Sequence, residues 1–80
     1  MAARVYGNIY DNVTKAVIGT ATAAAPPYIV VNSSGAYYFL TPGAATVDVT
    51  ASATGYTPKT TQVTVSNGQI KRLDFYLNPL

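Results

Sequence analysis

The reactive side chains of this 80-residue chain are few: Asp11, Asp48 and Asp74, Lys15, Lys59 and Lys71, two arginines and seven tyrosines. There is no His, Cys, Trp or Glu. Without imidazole or thiolate, the usual zinc, copper, haem and iron–sulfur ligand sets cannot be assembled. Nucleophile schemes built on His or Cys fall with them. The three aspartates lie in different strands or turns of the reading given below. A calcium cage needs several converging oxygens, and acid–base work needs two groups in one cleft, so neither is expected. Asp11 suits a turn cap, and Asp74 suits an ion pair with Arg72 or Lys59. The chain reads as a non-enzyme with no cofactor and no metal. Asn12-Val13-Thr14 and Asn32-Ser33-Ser34 have the N-x-S/T acceptor pattern, which makes Asn12 and Asn32 candidate glycosylation sites.

The elements that must carry these groups are strands. Apolar and polar residues alternate with period two along Arg4–Tyr10, Thr46–Ala53, Thr60–Ser66 and Ile70–Leu77. Val17–Ala24, Tyr28–Asn32 and Ala36–Leu40 are shorter strand candidates. Pro26-Pro27 stops any helix begun by Ala23-Ala24-Ala25. Asp11-Asn12, Asn32–Gly35, Thr41-Pro42-Gly43 and Gly55 mark turns. Asn67-Gly68 predicts a type I′ hairpin, in which both central residues take positive φ. Seven short strands with turns between them predict an all-β, seven-stranded antiparallel sandwich, one domain over residues 1–80. Its expected core face is Val5, Ile9, Tyr37, Phe39, Val47, Val49, Val63, Val65, Leu73, Phe75 and Leu77.

Charge is scarce. Charged residues are 10% of the chain, against about 25% in ordinary domains, and none occurs from Ala16 to Val47. A net charge of +2, spread along the chain, argues against a nucleic-acid partner. No apolar run approaches the roughly 20 residues of a membrane span. Met1 leads straight into a strand-like segment, so no leader peptide is expected within the chain.

Several motifs, in their order, are similar to one family. Val5, Gly7, Ile9 and Asp11 resemble its opening V-x-G-x-V-x-D. Val17–Thr22 is similar to its small-residue strand, with Ala16 where the family has Pro. Gly35, Tyr37 and Phe39 match G-x-Y-x-F, and Pro42-Gly43 matches its Pro-Gly turn. Val47, Val49, Ala51, Gly55 and Tyr56 match a valine-rich strand ending in Gly-Tyr. Leu73, Asp74, Phe75, Leu77 and Pro79 match the closing L-D-F-x-L-x-P. Together they resemble the carboxypeptidase regulatory-like domain, a β-sandwich with the transthyretin-like (prealbumin-like) fold. The resemblance implies a non-catalytic structural and interaction module, extracellular or at the cell surface, attached to peptidases, receptors or surface proteins. A related branch hydrolyses 5-hydroxyisourate with histidines, which this chain lacks.

The alternation turns Tyr6, Tyr10, Tyr38 and Tyr76 away from the core, and they form the candidate interaction surface. Exposed tyrosines give flat contact area at low entropic cost, and a charge-poor apolar patch marks an interface. The expected partner is protein, self or parent chain, or a glycan. Two narrower roles follow. One is a self-assembling filament subunit whose strand Ala2–Tyr10 adds to a neighbour. The other is an accessory module of a secreted peptidase or receptor that binds a glycan or its parent domain.

Overall fold

The alternating run near the N-terminus becomes strand β1 (Ala3–Asp11) in the computed structural model, which describes residues 2–80. Ala3, Val5, Gly7 and Ile9 point inward, and Arg4 and Tyr6 outward, as a period of two dictates. The remaining strands are β2 (Thr22–Ala24), β3 (Val31–Ser33), β4 (Ala36–Thr41), β5 (Ala45–Ser52), β6 (Lys59–Val65), β7 (Ile70–Arg72) and β8 (Phe75–Leu77). They make an all-β sandwich without a helix among the described residues. One sheet runs β3-β4-β1-β7, with β8 also paired to β1, and the other runs β2-β5-β6. No helix of the described residues is long and apolar enough to cross a membrane.

The core lies between the inner faces. Val5, Ile9, Tyr37, Phe39, Phe75 and Leu77 of the first sheet meet Ala23, Val47, Val49, Ala51, Val63 and Val65 of the second. Tyr28 stacks on Phe39 with ring centroids 6.1 Å apart, and Tyr37 tilts against Phe75 at 6.0 Å. The Tyr37 hydroxyl donates to the Leu73 carbonyl, so the buried phenol is satisfied. Burial, with the nearby Asp74 charge adding to it, pushes its pKa well above the usual tyrosine value.

The expected strand Tyr28–Asn32 begins only at Val31, with Tyr28 in a single bridge to Ala25, and the strands differ from the expected set in four further places. Ile70–Leu77 is not one strand: the ladder breaks at Leu73 and Asp74, giving β7 and β8. There the Leu73 N–H donates to the Tyr6 carbonyl (2.8 Å), and Asp74 Oδ1 replaces a backbone carbonyl by accepting the Asn8 N–H (2.9 Å). The break brings the Leu73 carbonyl onto β1 where only Gly7 leaves room; a Cβ at Gly7 would overlap it. Leu73 itself ends only partly buried against the core. Second, β1 pairs antiparallel with β4 but parallel with β7 and β8, so the sandwich is not antiparallel throughout.

Third, Asn67-Gly68 is not a hairpin. It joins β6 of one sheet to β7 of the other. Gln69 N–H bonds the Ser66 carbonyl at 3.0 Å, and Gly68 alone of the pair has positive φ (72°), the pattern of a type II turn. The two-residue hairpin with both φ values positive is Ser34 (50°) and Gly35 (86°), between β3 and β4. Fourth, the expected strand Val17–Ala24 shrinks to β2 plus a single bridge from Val17 to Tyr10. Ile18 is drawn inward beside Gly35, where a side chain would meet Val17 and the Ile18 carbonyl.

Candidate functional site: an aromatic face on the five-stranded sheet

Register decides which outward residues become neighbours. Tyr6 on β1 stands opposite Tyr38 on β4, and Tyr10 on β1 stands opposite Tyr76 on β8. The four tyrosines expected to face outward therefore lie on one face of one sheet, in two cross-strand pairs. Tyr10 and Tyr76 stack with centroids 5.1 Å apart and planes 23° from parallel, the offset arrangement that ring quadrupoles favour. Tyr6, Tyr38 and Tyr76 remain 37–41% accessible, and Tyr10 is half-buried. Asn8 separates the pairs on β1 and donates from Nδ2 to the Tyr10 hydroxyl (3.1 Å).

Cations frame the aromatic pairs. The Arg4 guanidinium lies 4.7 Å from the centre of the Tyr38 ring, and the Lys15 ammonium 5.2 Å from that of Tyr76, both inside the range of cation–π attraction. Arg72, opposite Tyr6 on β7, reaches the Tyr10 hydroxyl (3.5 Å) and pairs with Asp74 through Nε at 2.9 Å. That hydrogen bond and the Asp74 charge raise the Arg72 pKa further. Leu40, Val31 and Ile70 complete the face as exposed apolar residues. A shallow depression of about 220 Å³ is sunk into it, with Tyr6, Tyr38, Val31, Ala36 and Asn8 in its walls. A second groove, about 470 Å³, opens at the end of the sandwich between Tyr76, Asn12, Asn78, Thr57 and Lys59. Tyr76 thus belongs both to the tyrosine face and to this end groove.

The aspartates stand apart. Asp11 closes the turn after β1: Oδ1 accepts the Val13 and Thr14 N–H groups (2.7 and 3.1 Å), and Oδ2 accepts the Tyr56 hydroxyl (2.7 Å). The Tyr56 bond first, then the two backbone bonds and the Lys15 charge, hold its pKa below the ordinary value. Asp74 pairs with Arg72 rather than Lys59, and Asp48 is exposed on β5. Both candidate glycosylation asparagines are exposed, and both amides are engaged. Asn12 Nδ2 donates to Asn78 Oδ1 (2.7 Å), and its Oδ1 accepts from Lys15 (3.1 Å). Asn32 accepts from the Ala23 N–H (2.8 Å) and donates to the Ala23 carbonyl (3.2 Å), tying β3 of one sheet to β2 of the other.

Sequence reasoning missed the cations as part of this face. Arg4 sits two residues before Tyr6, so the alternation places it there. That Arg72 and Lys15 join it depends on the parallel pairing of the C-terminal strands and on the Asp11 turn. The strand expected to add to a neighbour, Ala2–Tyr10, has both edges occupied, by β4 on one side and by β7 and β8 on the other. No family model matches this chain, and no curated protein matches it.

Proposed function

We propose that the protein is a non-catalytic structural and interaction module, of the carboxypeptidase regulatory-like, transthyretin-like kind, working outside the cell or at its surface. Its partner is protein, and the contact surface is the outward tyrosine face. The observation that carries this reading is the gathering of Tyr6, Tyr10, Tyr38 and Tyr76 into two cross-strand pairs rimmed by Arg4, Lys15 and Arg72. Tyrosine and arginine are the residues enriched where proteins meet; Tyr10 and Tyr76 are ordered by their stacking and Tyr38 by the Arg4 guanidinium over its ring, so those rings lose little rotamer entropy on contact. The resemblance implies the class and the location; of the residues that carry it, Gly35 holds a turn, Tyr37, Phe39, Phe75 and Leu77 lie in the core, and Leu73 stands at the strand break.

The partner most directly tested is a second copy. Sedimentation velocity over a concentration series is expected to show association by the wild type. The double variant Tyr6→Thr/Tyr38→Thr keeps β-branched residues on the strands and is expected to lose that contact at least tenfold. Equal association by both proteins overturns the reading.

The end groove favours a second reading. Its lining combines Tyr76 with Asn12, Asn78 and Lys59, the mixture of flat apolar surface and hydrogen-bonding groups that suits a sugar ring. Screening immobilised glycans tests it: binding that Tyr76→Ala abolishes supports a glycan site, and no binding above background rejects it.

A further inference from the structure

Among the described residues, the sandwich has one long strand edge that no other strand pairs with. Three of its edge strands, β2, β3 and β7, are three residues each. The edge of β2 is also closed by Asn32, whose amide bonds both backbone groups of Ala23. Strand β6 is seven residues long, pairs only with β5, and carries Lys-Thr-Thr-Gln-Val-Thr-Val with a single charge. Its facing pairs Thr46–Thr64 and Thr50–Thr60 bring their hydroxyls to 3.2 and 2.9 Å. Side chains come this close in non-hydrogen-bonded pairs of an antiparallel ladder. The N–H and C=O groups of Thr60, Gln62 and Thr64 therefore point away from β5. One of them is occupied: Lys71 Nζ donates to the Thr64 carbonyl at 3.2 Å. A long, nearly uncharged edge of this kind is a template for another strand.

We propose that this edge pairs with the same edge of a second copy, antiparallel, about a two-fold axis at Gln62. It deepens the contact role proposed above and rests on that reading for its purpose, but it uses the opposite sheet. The occupant follows from self-complementarity. With Gln62 facing the partner's Gln62, Thr60 faces the partner's Thr64 and Thr64 the partner's Thr60. All the outward backbone groups lie at residues of the same parity, so each of these pairs can exchange two N–H···O=C bonds. The only charged residue of the strand, Lys59, faces the partner's Val65, so the two Lys59 side chains do not meet. On the solvent face the rows Thr46–Thr64 and Thr50–Thr60 each continue into a threonine of the other copy, and a six-stranded sheet results. Lys71 must release the Thr64 carbonyl, which an exposed hydrogen bond from a long side chain permits.

The chain has no cysteine, so a single introduced one reads the register. Facing residues of a hydrogen-bonded pair have Cα atoms about 5.5 Å apart, within the span of a disulfide. The test uses the Tyr6→Thr/Tyr38→Thr background, so that failure of the tyrosine contact and failure of the edge contact are separate results. In that background Gln62→Cys is expected to give a disulfide-linked dimer on mild oxidation, and Thr60→Cys, which would lie several residues from its own copy across the axis, at least tenfold less. Gln62→Lys apposes two ammonium groups at the axis and is expected to weaken association at least tenfold with an unchanged circular dichroism spectrum. Lys71→Ala is expected to tighten it severalfold. Cross-linking as fast at position 60 as at 62, or a sedimentation profile that Gln62→Lys leaves unchanged, overturns the proposal.

Discussion

At the scale of single residues, the fold depends on a few positions where a backbone or an amide does what a strand would otherwise do. Gly7 admits the Leu73 carbonyl onto β1, and Gly7→Ala forces that contact apart. Overpacking of this severity costs about 3 kcal/mol or more, which in a domain of this size lowers Tm by roughly 12–24 °C. A thermal melt by circular dichroism checks it. Tyr37→Phe removes one buried hydrogen bond and leaves the Leu73 carbonyl unpaired, and is expected to cost about 1–3 kcal/mol in urea denaturation. Asp11 gives a pH signature. Its carboxyl is held below the usual 3.8 by Tyr56 and the turn N–H groups. A depressed folded-state pKa stabilises above the unfolded value and loses that contribution as pH falls through the folded one. Asp11→Asn is therefore expected to melt below the wild type at neutral pH, and the gap to close as pH falls from about 4. A gap that persists in strong acid contradicts the assignment.

At the scale of elements, what could be read from the sequence was what local periodicity encodes. Alternation in β1, β4, β5 and β6 separates core from surface because one face of each is buried, and a one-residue slip would invert every side chain. The outward direction of Tyr6, Tyr10, Tyr38 and Tyr76 follows from the same rule. Their pairing into Tyr6–Tyr38 and Tyr10–Tyr76 does not, since it is set by strand order and register, which no local pattern records. The same limit explains Asn67-Gly68. Its residues permit a hairpin, but the turn type depends on whether the flanking strands share a sheet, and β6 and β7 do not. The split of Ile70–Leu77 was hidden for a further reason: its cause is Gly7, more than sixty residues away. At this scale the hairpin Ser34-Gly35 makes a sharp prediction. Gly35 has positive φ and no room for a Cβ beside Val17 and the Ile18 carbonyl. Gly35→Ala is expected to loosen both β3 and the 17–18 segment, seen as faster amide exchange at Ile9 and Ile18, whose N–H groups bond across this junction.

At the scale of the whole molecule, the two proposed contacts lie on opposite sheets. The tyrosine face covers the outside of β3-β4-β1-β7, and the open edge belongs to β2-β5-β6. Two different two-fold contacts on one subunit let each copy bind two others, and where their axes do not close a ring the alternation gives an open string. The scarcity of charge, 10% of residues, removes much of the repulsion that keeps small domains apart. Each contact alone stops at a dimer, so the variants sort the assembly: Gln62→Lys leaves pairs joined by tyrosine faces, and Tyr6→Thr/Tyr38→Thr leaves pairs joined by β6.

Light scattering with negative-stain microscopy on the wild type, at rising concentration and beside the Tyr6→Thr/Tyr38→Thr variant, tests the tyrosine face as a contact surface most directly. The account predicts strings that lengthen with concentration in the wild type and particles no larger than dimers in the variant. A wild type that stays monomeric at every concentration, or strings that the variant forms equally well, contradicts it.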